Sequence, residues 1–206
     1  MERRFEAALM KPGPGATHGK LPLVLLVHGG PASNFSADYF WFNSSASGRQ
    51  GYQDLMVNPR GSAGYGESFL KANRADWGGG DFKDLMAALD TVVARGETDP
   101  NRLGIGGWSY GGEMTQWAIM QTDRFRAAVT GGRVFDLAAE FGTEDSSAEM
   151  NGTSARPSST RGSLRATHPP PTFVMQKHLR SSCTVRTIAV IPSAGRGWIA
   201  LSNIMA

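Results

Sequence analysis

One short stretch constrains the fold more than any other. Gly107-Trp108-Ser109-Tyr110-Gly111 follows directly on the apolar run Leu103 to Gly106 and leads into a helical pattern, Glu113 to Gln121. A strand that bends sharply into a helix strains the backbone at the bend, and side chains two positions either side would collide. Gly107 and Gly111 remove that collision, and Gly112 relaxes the packing further. G-x-S-x-G between a strand and a helix is the pattern of a nucleophile elbow. Ser109 is therefore the candidate catalytic residue, with its hydroxyl lifted above the sheet. The helix that follows would point its first N–H groups at developing negative charge.

The remainder of the first 150 residues supports such a setting. Leu21 to Val27 is a short continuous apolar run ending in His28-Gly29-Gly30-Pro31, which reads as a strand buried on both faces. Asp54 to Asn58 reads as a second strand, followed by turn-rich sequence as far as Gly66. Asp81 to Ala94 reads as an amphipathic helix, with Phe82, Leu85, Met86, Leu89, Val92 and Val93 recurring at spacings of three and four. Asp99-Pro100-Asn101 reads as a turn, and Ala127 to Thr130 as a further strand. Alternating strands and helices predict an α/β fold with a mostly parallel sheet and helices on both faces. In an α/β-hydrolase fold the glycine turn after the first buried strand contributes to the oxyanion hole. Gly29 and Gly30 then join the N–H of Tyr110 as candidate oxyanion donors. His28 is read as shaping that loop rather than as a base, because the base follows the serine in such folds.

Charge divides the chain. Residues 1–150 hold 14 basic and all 18 acidic residues, a net charge of −4. Residues 151–206 hold seven basic residues and no acid, a net charge of +7. The basic isoelectric point of about 9.2 thus rests on the tail, and with no recognition motif present a nucleic-acid partner is not expected. The tail is rich in Ser, Thr, Pro and Arg, and Pro169-Pro170-Pro171 interrupts any helix. Two regions follow: 1–150, a hydrolase-like domain incomplete at its C-terminus, and 151–206, an irregular tail. A single cysteine, Cys183, excludes an internal disulfide framework. No apolar run reaches the length of a membrane span, and the first residues lack a signal peptide's apolar stretch. No membrane partner is expected, and a cytoplasmic location is favoured.

These motifs, taken in order, resemble the prolyl oligopeptidase family of serine peptidases, close to its dipeptidyl- and acylaminoacyl-peptidase branches. The matching stretches are Leu23 to Pro31, Asn58 to Phe69, Trp77 to Asp90, Asp99 to Gly112 and Asp123 to Val129. The resemblance implies an α/β-hydrolase catalytic domain that binds a peptide substrate and uses no metal or organic cofactor. It implies Ser109 as nucleophile and places Arg60 and Tyr65 in a stretch near the active site, where each taken singly reads equally as part of a structural turn. Asp81 and Asp84 are expected to be solvated helix residues.

The family also needs an Asp in a strand-end motif and a later His in a G-x-x-H loop. Neither motif follows Glu149 here, and His168 and His178 stand in segments unlike the histidine loop. A shifted reading frame would account for this. Codons for Gln176 to Ile188, read from each third base, allow Glu-Ala-Pro-Thr-Leu-Leu-Leu-His-Gly-Glu-Asp-Asp, which is close to the missing strand and Asp loop. The same shift over Glu149 to Ala155 allows Asp-Glu-Trp-Tyr-Phe-Gly, also family-like. Without its base, Ser109 would be a weak nucleophile, so a nearly inactive polypeptide is expected. Three other readings stand beside the peptidase: a carboxylesterase, a non-catalytic hydrolase-like binding module and a nucleic-acid binder. The oligomeric state is open.

Overall fold

The computed structural model describes residues 4–12, 19–36, 51–132 and 187–191. Within them the strands β1 (Glu6–Met10), β2 (Leu21–Val27), β3 (Gln53–Asn58), β4 (Thr98–Trp108), β5 (Phe125–Gly131) and β6 (Thr187–Ile191) form one sheet. Their spatial order is β1-β3-β2-β4-β5-β6. β1 runs antiparallel to β3, and every other pairing is parallel. The helices are α1 (Glu67–Leu70), α2 (Gly80–Ala94) and α3 (Tyr110–Gln121).

The topology explains where a ligand would bind. From β2 the chain moves to β3 on one side, then crosses back to lay β4 on the other side of β2. The strand order reverses at β2. The loops leaving the carboxyl ends of β2 and β4 therefore flank the crevice in which open α/β sheets hold their ligands.

The core fixes that geometry. The register sets Leu25 beside Leu55 on one flank and Ile105 on the other, with Ile105 beside Ala128. Side chains alternate along a strand, so these four share one face. They join a single buried cluster with Leu85, Leu89 and Val92 of α2 and Met114 and Ala118 of α3. Val24, Met56, Ala127 and Val129, on the opposite face, are buried too. Burial on both faces is why β2 reads as an unbroken apolar run rather than an alternating one.

Boundaries differ from the sequence reading in instructive ways. β4 begins at Thr98 and includes Asp99 to Asn101, expected as a turn. The turn chemistry persists inside it, because the Asp99 carboxylate accepts the Asn101 N–H at 2.9 Å. The pairing of β2 with β4 jumps there from Leu21–Thr98 to Leu23–Leu103, a bulge that absorbs the extra residues. α3 starts at Tyr110 rather than Glu113, directly after the serine. β1, α1 and β6 have no counterpart in the sequence reading, and β6 falls within the tail region.

Candidate active site

Ser109 occupies the bend between β4 and α3 with φ 57° and ψ −125°. Among the described residues it shares a positive φ, outside glycine, only with Ala75. A serine persists in this conformation only where its surroundings impose it. Its N–H donates to the Gly131 carbonyl of β5 at 2.9 Å, and its own carbonyl accepts the Glu113 N–H at 3.0 Å. The glycines around it are sterically required. A Cβ on Gly107 would lie 2.4 Å from the Gly111 carbonyl oxygen, and one on Gly112 would lie 2.5 Å from that of Gly131. Tyr110, as the first residue of α3, has no intrahelical acceptor for its N–H.

The loop after β2 passes beside the serine. A Cβ on Gly29 would sit 3.3 Å from the Trp108 carbonyl oxygen and 3.5 Å from the Ser109 Cβ. Gly30 follows at φ +122°, where a Cβ would crowd the backbone nitrogens of Ala32 and Ser33. The fold thus brings together Ser109, Tyr110 and Gly29, with Gly30 adjacent.

His28 is buried and tied to the loop rather than directed at the serine. Its Nδ1 lies 2.7 Å from the Gly29 carbonyl and its Nε2 lies 2.9 Å from the Ser62 hydroxyl. A carbonyl only accepts, so Nδ1 carries the hydrogen. Burial holds the His28 pKa below its ordinary value, partly offset by the Gly29 hydrogen bond.

The stretch after β3 is a clamp for this loop. Asn58 accepts the Phe35 N–H at 2.8 Å and donates to the Phe35 carbonyl and the Tyr65 hydroxyl, at 3.2 and 2.8 Å. The Ala63 N–H donates to the Ser33 carbonyl at 2.9 Å, and Asn34 donates to the Ala63 carbonyl at 3.1 Å. Tyr65 is half-buried; its hydroxyl donates to Glu6 of β1 at 2.7 Å. Burial, then the Glu6 hydrogen bond, raise its pKa. Tyr65 and Arg60 thus make scaffold contacts.

Asp81 and Asp84 correct the sequence expectation: both are buried, not solvated. Asp84 takes a forked interaction from Arg60, with Nε to Oδ2 at 2.8 Å and Nη2 to Oδ1 at 2.7 Å, and also accepts the Arg60 N–H. The bond to Asp84 raises the arginine's pKa. Asp81 accepts the Tyr110 hydroxyl at 2.6 Å and the Phe82 N–H at 2.8 Å. Burial pushes its carboxyl up to about 6 against those hydrogen bonds. The signal was present in the sequence. Asp81 continues the stripe of Leu85, Ala88, Leu89 and Val92 at helical spacing, so it faces the same interior. Asn58 and Ser62, also unforeseen, are short polar residues inside a strand end and a turn whose burial no periodicity reveals.

His168, His178 and Cys183 lie outside the described residues. Among the described residues no group of three His, Cys, Asp or Glu side chains is placed to hold a metal ion. No described helix is long and apolar enough to cross a membrane.

A mostly parallel sheet whose central strand bends into a helix at a positive-φ serine, beside a glycine loop from the neighbouring strand, defines an α/β hydrolase. Residues 36–163 match the prolyl oligopeptidase family, and the chain belongs to that family of serine peptidases. It is 41% identical over 138 residues to an uncharacterized peptidase, YuxL, of Bacillus subtilis, covering 66% of this chain and 21% of that protein. It is 35% identical over 147 residues to an acylamino-acid-releasing enzyme of Arabidopsis thaliana, covering 68% of this chain and 19% of that one. An acylaminoacyl peptidase structure from Pyrococcus horikoshii superimposes with a TM-score of 0.79 at 26% identity, over 93% of this chain and 30% of that chain. The chain spans about a fifth of the length of these curated relatives.

Proposed function

We propose that Ser109 is the nucleophile of a peptide-bond hydrolase working through an acyl-enzyme. The observation that carries this reading is the strained Ser109 backbone with Gly29 packed against it. The serine oxygen would attack a peptide carbonyl, and the carbonyl oxygen would take up the charge of the tetrahedral adduct. The Tyr110 N–H and the Gly29–Gly30 loop are our assignment for the groups that hold that oxyanion. The amine would leave carrying the proton given up by the serine hydroxyl, and water would cleave the acyl-enzyme ester to release the acid and restore the Ser109 hydroxyl. Small peptides are the proposed substrate class, consistent with the peptidase names of the relatives.

The 206 residues contain no segment resembling the family's Asp and His motifs after Glu149. A serine without base and orienter loses on the order of 10⁴–10⁶ in kcat. The isolated polypeptide is therefore expected to turn over a peptide p-nitroanilide barely above background. Prolonged incubation with a fluorophosphonate reagent, followed by mass mapping, tests the nucleophile itself. Modification at Ser109 supports the reading, and modification only at other serines overturns it. Robust p-nitroanilide hydrolysis abolished by Ser109→Ala would uphold the nucleophile but defeat the expected inactivity.

A further inference from the structure

Asp81 is a fully buried carboxyl that plays no part in the reaction as proposed. It sits in the first turn of α2, and its partner is the residue that follows the nucleophile. The Tyr110 ring is itself buried. Its hydroxyl is held by Asp81 at 2.6 Å, and the ring packs in a T-shaped contact with Trp77 at 5.2 Å between centroids. A tyrosine ring has two torsions and no other freedom, so anchoring the hydroxyl fixes the ring as a strut. The far end of that strut is the Tyr110 Cα, one bond from the N–H assigned to the oxyanion.

The other tethers at the bend act on different atoms. Gly131 holds the Ser109 N–H, and Glu113 holds the Ser109 carbonyl. Glu113 thus holds the carbonyl end of the peptide plane that carries the Tyr110 N–H, and the Tyr110 side chain holds the same plane at its other end, through the Cα. We propose that Asp81 is a positioning residue for the oxyanion site: its bond to the Tyr110 hydroxyl orients the peptide N–H that follows Ser109. This assignment rests on the reading of Ser109 as nucleophile.

The carboxyl's surroundings make the proposal measurable. Its pKa, pushed up to about 6 chiefly by burial, lies within an accessible range. The charged groups facing the pair are Asp76 before α2, Arg60 from the loop after β3, itself paired with Asp84, and Glu113 on α3. His28, in the neighbouring loop, is a further titratable group, its pKa lowered by burial.

The experiment is a pH titration of the full 206-residue chain by NMR, following the Asp81 carboxyl carbon and the Ser109 and Tyr110 amides. The Tyr110 amide is expected to move with the midpoint of the Asp81 carboxyl, near pH 6. In Asp81→Asn that transition should vanish from the amide, while any His28 transition persists. In Tyr110→Phe the carboxyl should still titrate and the amide should no longer follow it. A carboxyl that titrates while the wild-type Tyr110 amide stays still overturns the proposal. Fluorophosphonate labelling of Ser109 gives a second readout, compared at equal folded fraction. Asp81→Leu should slow labelling by about tenfold or more, and Asp81→Asn, which keeps an acceptor oxygen, should stay within about threefold of wild type. Equal labelling in all three proteins also overturns it. Failure to label wild-type Ser109 at all, with the amide coupling intact, defeats the nucleophile assignment and leaves the Asp81–Tyr110 coupling standing.

Discussion

The carbonyl oxygen of Val27 occupies the space a side chain on Gly111 would need, 2.1 Å from where its Cβ would fall. The end of β2 and the start of α3 are therefore in backbone contact immediately behind the serine. Neither backbone can retreat, since Val27 pairs with both Val57 and Gly107 in the sheet. Gly111→Ala is expected to destabilise the fold by about 3 kcal/mol or more, through overpacking against main chain. Gly96→Ala is the control, because its φ is +83° but nothing lies within 4 Å of the added Cβ. That change should cost only about 1–2 kcal/mol, the strain of the left-handed backbone. Chemical denaturation of both variants checks the order, and an equal loss would contradict the steric account.

Asp81 makes stability depend on pH in an unusual direction. Its folded pKa of about 6 lies above its ordinary 3.8. The folded state therefore holds the proton more tightly than the unfolded state. Its contribution is neutral at the lowest pH, and stability is lost as pH rises between about 4 and 6. A shift of this size corresponds to roughly 3 kcal/mol at pH 7. Asp81→Asn removes the charge and keeps an acceptor for Tyr110, so it should raise the melting temperature at pH 7 and change little at pH 4. His28, with its lowered pKa, loses stability as pH falls below about 6.5, the opposite sense. It is present in both proteins, so it cancels in the wild-type minus variant difference.

Asn58 joins strand end to loop through three bonds, two of them to the Phe35 backbone. Asn58→Ala leaves both Phe35 groups without that side chain and should cost about 2–4 kcal/mol. Hydrogen exchange is the informative readout. Protection should fall over residues 28–36 and stay high in β2, whereas a uniform fall would argue for a global effect only.

Arg60→Lys tests the forked contact with Asp84. An ammonium cannot reproduce two parallel N–H bonds to one carboxylate. The Asp84 side chain is only 6% exposed, so the remaining charge is poorly compensated. A loss of about 1–2 kcal/mol is expected from thermal unfolding. A loss indistinguishable from that of an exposed pair, such as Lys71 with Glu67, would show that the fork adds nothing.

What the residues disclosed in advance follows a physical line. The bend at Ser109 was legible because a strained turn demands glycine on both sides, and those glycines are visible as letters. β2 was legible because burial on both faces leaves an uninterrupted apolar run. α2 was legible from its stripe, but the same stripe was read for its apolar members alone, and Asp81 was misplaced in solvent. The inward aspartate obeys the periodicity of its neighbours. Its polarity is satisfied by a tyrosine 29 residues away, a partner that no local pattern announces. The clamp of Asn58, Ser62 and Ala63 on the loop at 28–36 was hidden for the same reason, since its bonds are long-range and partly main-chain. β1 is short and half-exposed at the sheet edge, where propensity is weakest.

That clamp has a consequence for anyone who would rebuild this surface. The two loops at the carboxyl ends of β2 and β3 are separate in sequence yet share one set of fasteners, including His28 with Ser62 and Phe35 with Asn58. A chimera that imports the glycine loop of a relative without its companion stretch would receive a wall with no hinges, whereas transplanting residues 28–36 and 58–66 together keeps the bonds between them, with Asp84 and Glu6 needed to seat Arg60 and Tyr65.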